Sequence, residues 1–168
     1  MAAERGAREA RPGERETPAL RRVLVPTDLS EGAARALPWA YALAGRGGSV
    51  VLLHVIELSV TPNPLYAHYE RGSAASEAER SVQIAAIRER LRAIEPADAA
   101  GRGIATEVEV LESAAVAECV CGAAERLGID AICIASRGRG VLLRTLLGSV
   151  AEDLLHAARI PLFVIPPR

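Results

Sequence analysis

From residue 22 onward the chain alternates short apolar runs with longer segments of helical period, and this alternation restricts its fold more than any other feature. Residues 22–26, Arg-Val-Leu-Val-Pro, read as a strand ended by proline. Residues 30–46 are rich in Ala and Leu and read as one helix, with Ser30 placed to cap it and Gly45, Gly47 and Gly48 to end it. Residues 50–56 are mostly β-branched or Leu, the pattern of a strand buried on both faces. Ile84, Ile87, Leu91 and Ile94 follow one another at spacings of 3, 4 and 3, an apolar stripe that predicts a helix stopped by Pro96. Residues 104–111 alternate apolar and polar, as a strand with one wet face near a sheet edge does. A helix over 114–127 ended by Gly128, a buried strand over 131–135, a helix over 149–159 and a strand over 161–165 complete the series.

Five strands joined by four helical crossovers imply an α/β fold: a parallel sheet covered on both faces, with right-handed connections. Ligands of such sheets bind beyond the carboxyl ends of the strands, where the strand order reverses. Two strand-to-helix loops are unusual: Pro26-Thr27-Asp28-Leu29-Ser30 and Ser136-Arg137-Gly138-Arg139-Gly140. If both line one site, the first and fourth strands are neighbours and the order is 3-2-1-4-5, a Rossmann-like arrangement. Residues 1–20 carry balanced Arg and Glu and read as a disordered tail, leaving 21–168 as one domain. The glutamates argue against a transit peptide. Residues 58–72, with Pro62 and Pro64, form a connection long enough for a lid or an insertion.

Composition narrows the chemistry. All 20 cationic residues are Arg, so a Walker-A loop, a Schiff base and a pyridoxal-phosphate enzyme are excluded. A net charge of −1 lacks the basic excess of a nucleic-acid binder, and no apolar run reaches the roughly 18–20 residues of a membrane span. Cys119, Cys121 and Cys133 are odd in number and no signal peptide is apparent, which favours a reducing, cytoplasmic setting. On a helix Cys119 and Cys121 point roughly 200° apart, so they read as buried structural thiols and not as a metal pair. His54 reads as a hydrogen-bonded core residue, and Trp39 and Tyr41 as packing residues. His68 and His156 have no companions at ligand spacing, so no protein metal site is expected.

Gly138 and Gly140 allow positive φ or close approach of backbone to a ligand. Ten residues after Gly138, Gly148-Ser149 opens a helix whose free N–H groups and dipole favour an anion, and Ser149 adds a hydroxyl. Together they form a phosphate cradle that needs no lysine; the plainer alternative is a simple helix start. Asp28, on the opposite lip, can accept hydrogen bonds from ribose hydroxyls or serve only as a turn residue. Arg137, Arg139 and Arg144 reach phosphates or are solvated loop residues.

These residues resemble the universal stress protein family over about 21–166. The resemblance rests on Val-Pro-Thr-Asp-Leu-Ser-Glu (25–31), Leu-His-Val-Ile (53–56) and the pattern Gly-x2-Gly-x9-Gly-Ser/Thr, matched from Ala135 through Gly138 to Gly148-Ser149. It implies an ATP site in which Asp28 and Val55 meet ribose and adenine, while Gly138, Gly148, Ser149 and Val150 meet the phosphates. Pro26, Thr27, Ala135, Arg137 and Arg139 complete the expected site. It also implies Mg²⁺ bridging the phosphates, a homodimer through the last strand, and a cytoplasmic stress-response regulator with no catalytic residue. The first glycine of the pattern is Ala135 here. At positive φ an alanine would cost roughly 1 kcal/mol or more; at negative φ it adds only a methyl. The alternatives are a slow ATP hydrolase, for which Asp28 is the one obvious base, and a nucleotide-free dimeric interaction protein of the same fold.

Overall fold

The central strand of the sheet, β1 (Arg22–Pro26), is buried on both sides by its own apolar side chains. In the computed structural model, which describes residues 19–58, 76–136 and 147–167, it lies between β2 (Ser49–Glu57) and β4 (Ala131–Ala135). β3 (Ala105–Ser113) and β5 (Leu162–Ile165) form the edges. All pairings are parallel, and the order is β3-β2-β1-β4-β5, as the sequence predicts. Most of the expected tail, the 59–72 part of the expected loop, and Arg137, Gly138, Arg139, Gly140 and Arg144 lie outside the described residues.

Strand alternation sends side chains to two separate cores. Val23, Val25, Leu52 and Cys133 face one side, beneath α1 (Glu31–Ala34), α2 (Leu37–Ala44) and α3 (Glu77–Ala93). Leu24, Val51, Leu53, Ile132 and Ile134 face the other, beneath α4 (Val116–Arg126) and α5 (Ser149–Ala157). The helices approach through alanines: Ala36, Ala40 and Ala44 on one side, Ala117, Ala123, Ala124 and Ala151 on the other. Small side chains at these positions let the helices lie close on the sheet, so the core closes with few large aromatic residues.

The single helix expected over 30–46 is two short helices with a turn at Arg35 and Ala36. Pro38 has no N–H to give the Ala34 carbonyl, so the regular ladder fails there. The amides of Arg35 and Ala36 bond instead to Gly32 and Ala33, three residues back. Ser30 caps the first piece, its Oγ accepting from Ala33 N at 3.1 Å, and Gly45 ends the second with φ 65°. α3 opens with a capping box: Ser76 Oγ accepts from Glu79 N, and Glu79 accepts from Ser76 N. Those hydrogen bonds, led by the one from the Ser76 backbone, hold the Glu79 carboxyl below its usual range. Ile87 and Leu91 are buried, and Ile84 and Ile94 flank them, as the stripe requires.

Three packing expectations need correction. Trp39 is 58% exposed, because the buried stripe of α2 runs through Leu37, Ala40, Tyr41 and Ala44 and position 39 falls off it. Tyr41 is fully buried and donates to Thr106 Oγ1 at 2.7 Å, and Thr106 donates in turn to Glu95. Burial raises the Tyr41 phenol above its ordinary pKa. Of the cysteines only Cys133 is buried, its thiol pushed up to about 12 by desolvation. Cys119 and Cys121 are half-buried because they flank the inward stripe of Ala117, Val120, Ala123 and Ala124. Finally, β2 is buried only as far as Leu53; His54, Val55 and Ile56 are half-exposed at its carboxyl end.

The turn into β2 leaves no room for a side chain at Gly48. A Cβ there would lie 2.3 Å from the Ala44 carbonyl oxygen and 2.7 Å from that of Arg21, both backbone. Gly48→Ala is therefore expected to lower the unfolding free energy by about 1–3 kcal/mol, read as an earlier urea midpoint at unchanged slope.

Candidate functional site

The chain leaves β1 toward one face of the sheet and leaves β4 toward the other, so a cavity opens between their carboxyl ends. It has a volume of about 350 Å³. Pro26, Thr27 and Asp28 reach it from the end of β1, Val55 from β2, Ala135 from β4, and Gly148, Ser149 and Val150 from the start of α5. The structure thus gathers every sequence-predicted site residue that it describes; Arg137, Gly138 and Arg139 lie outside the described residues.

On the β1 lip the loop is fixed by short-range bonds centred on Thr27. Thr27 N donates to Leu53 O at 2.9 Å, its Oγ1 accepts from Leu29 N at 3.1 Å, and its carbonyl accepts from His54 Nδ1 at 2.8 Å. Asp28 Oδ1 accepts from Ser30 N at 3.0 Å. Asp28 is therefore a turn residue that also lines the cavity. Leu29 has φ 62°, the single positive φ among the described non-glycine residues. That conformation costs about 1–2 kcal/mol, and the surrounding hydrogen bonds hold it in place.

The β4 lip presents donors. Gly148, extended at φ −81° and ψ 155°, caps α5 and gives its N–H to Ser136 O at 2.7 Å. The first bond back along the helix runs from Glu152 N to Gly148 O, so the amides of Ser149, Val150 and Ala151 precede the ladder. With the helix dipole they favour an anion. Among the described residues that line the cavity the carboxylates are Asp28 and Glu57, both on the β1–β2 side. The cavity is thus polarised, with acceptors at one end and donors at the other.

Ala135 sits in β4 without positive φ, and its methyl belongs to the core beneath α2, on the face away from α5. The substitution for glycine carries no backbone strain. Ser136 opens the second of the two unusual loops, but the sequence did not single it out as a site residue. Its amide bonds to Ile165 O and its carbonyl accepts from Gly148 N, yet its Oγ has no partner among the described residues, although the residue is only 4% exposed. A buried hydroxyl left unpaired is costly, and its position in the cavity wall beside α5 is one where a bound ligand would satisfy it. The available signal was a serine directly after a wholly apolar strand. His54, expected in the core, is half-exposed and also lines the cavity.

A family model described as the Universal stress protein family matches residues 19–166. Among solved structures, the hypothetical protein MJ0577, whose biochemical function was assigned from its structure, is 26% identical with a TM-score of 0.67, over 90% of this chain and 99% of its own. A universal stress protein in complex with cAMP is 16% identical with a TM-score of 0.55, over 90% of this chain and 100% of its own. An Arabidopsis thaliana universal stress protein with AMP bound is 18% identical with a TM-score of 0.53, over 88% and 92%. At these last two identities the likeness is one of fold. No match was found among curated protein sequences.

Ser136→Ala removes an uncompensated hydroxyl. It is expected to leave the unfolding free energy of the ligand-free protein unchanged or raised by up to about 1 kcal/mol, measured by urea denaturation.

Proposed function

The chain belongs to the universal stress protein family, and we propose that it binds an adenine nucleotide, ATP with Mg²⁺ bridging the phosphates, as a cytoplasmic stress-response regulator. The observation that carries this reading is the unpartnered, buried Ser136 hydroxyl, set in one cavity with the first amides of α5 and opposite Asp28. A nucleotide answers each feature. Its phosphates accept from the α5 amides and from the Ser136 and Ser149 hydroxyls, its ribose hydroxyls donate to Asp28, and its base lies along Val55 and the apolar wall. The family pattern implies a phosphate contact for Gly138, and Arg137 and Arg139 beside it are further candidates to meet the phosphates. The AMP and cAMP bound by family members support an adenine ligand.

Among the described residues no group of three or more His, Cys, Asp or Glu could hold a metal ion. Mg²⁺ would therefore take its oxygens from the phosphates and water, supplying charge neutralisation. Binding then acts by population shift: a nucleotide that prefers one arrangement of the site biases the surface a partner or second subunit meets. The free thiols fit a reducing compartment. The homodimer forms through β5, an edge strand whose four residues, Leu162 to Ile165, are apolar and only half-buried.

Titration with ATP and AMP, after mass spectrometry for co-purified nucleotide, is expected to show binding. Ser149→Ala and Gly138→Val are each expected to weaken it, while Ala135→Gly changes it less than about twofold because the methyl points to the opposite core. Absence of binding at millimolar ATP overturns the reading. Light scattering is expected to give twice the mass of one chain; the mass of a single chain would remove the dimer.

A further inference from the structure

The carbonyl of Thr27 is in the wrong company for a parallel ladder. Residues 23–26 of β1 pair in register with 50–53 of β2, and Thr27 N continues that ladder by donating to Leu53 O. The next rung of a parallel pair would run from Val55 N to Thr27 O. That rung is missing among the described backbone bonds, and the Thr27 carbonyl instead takes the His54 ring at 2.8 Å. A carbonyl can only accept, so the ring carries its proton on Nδ1. Because Leu53 turns its peptide groups toward β1, Val55, two residues on, turns its own the same way. Past Pro26 no strand remains on that side, and Val55 faces the cavity.

We propose that His54 is a positioning residue that keeps this rung open: its ring bond draws the Thr27 carbonyl away from the direction in which Val55 N–H would meet it, and so leaves the Val55 peptide and the Asp28 loop in place for a nucleoside. The same ring bond ties β2 to the loop that holds Leu29 at positive φ and Asp28 in its turn. That bond reaches from the loop to a strand 27 positions away. The ligand class is a base with hydrogen-bonding edge groups joined to a ribose, which rests on the nucleotide reading above. The rung itself is a property of the ligand-free chain.

Two arms separate the two ideas. Amide hydrogen exchange of the ligand-free full-length protein is expected to show a fast Val55 amide. In His54→Leu the rung closes, and Val55 becomes protected by on the order of tenfold, while a merely destabilised fold would lose protection everywhere. In the second arm, His54→Leu is expected to weaken ATP binding on the order of tenfold. It also reduces the discrimination between ATP and its 2′- and 3′-deoxy analogues, because the loop that carries Asp28 loses its tie to β2. His54→Gln, whose amide can donate to Thr27 O, restores most of both. A Val55 amide already protected in the native chain, or unchanged in His54→Leu, overturns the inference, as does a His54→Leu variant with native ATP affinity and native discrimination. If the native protein binds no adenine nucleotide, the functional reading falls, and the exchange arm alone decides the role of His54.

Discussion

Everything at the site depends on two parallel strands lying side by side and sending their chains to opposite faces. β1 leads into α1 and α2 on one side of the sheet, and β4 leads toward α5 on the other. A gap between their carboxyl ends is the geometric consequence, since right-handed crossovers cannot cover both ends from one face. The apolar strand residues make that adjacency durable. Val23, Leu24 and Val25 are fully buried, so shifting β1 by one residue would send each side chain into the opposite core and disrupt the packing of both.

Within that gap the chemistry is set by what the backbone leaves unpaired. The chain contains no lysine, and among the described residues the donors at the β4 lip are peptide N–H groups and serine hydroxyls. Such donors are fixed by the helix that carries them, so they lose little entropy when an anion arrives. The β1 lip is acidic and fixed by its own turn. An acceptor end facing a donor end suits the ligand proposed above, with hydroxyls at one side and negative charge at the other.

The fold was largely legible in the sequence because burial periodicity and punctuation agreed. The strands, the edge position of 104–111 and the switch between strands one and four all follow from which residues must leave water. Local errors came where a short-range signal was overridden. Pro38 split a helix that Ala and Leu richness presented as continuous, and the phase of α2 then turned Trp39 outward. Cys119 and Cys121 sit beside, not on, the inward stripe of α4, a matter of about 100° of rotation per residue.

The sequence by itself determined the parallel sheet, its order and the two loops that meet, because alternating apolar runs admit few arrangements that bury them. It also named Asp28, Val55, Gly148 and Ser149, which the cavity does bring together. Tertiary structure alone decided that Ala135 is unstrained, that the Ser136 hydroxyl is stranded against the cavity, and that the His54 ring takes the place of a ladder rung. These depend on the sign of a backbone angle and on which acceptor a side chain reaches across the sheet. Neither is encoded in spacing, since both are fixed by distant chain segments arriving at the same place.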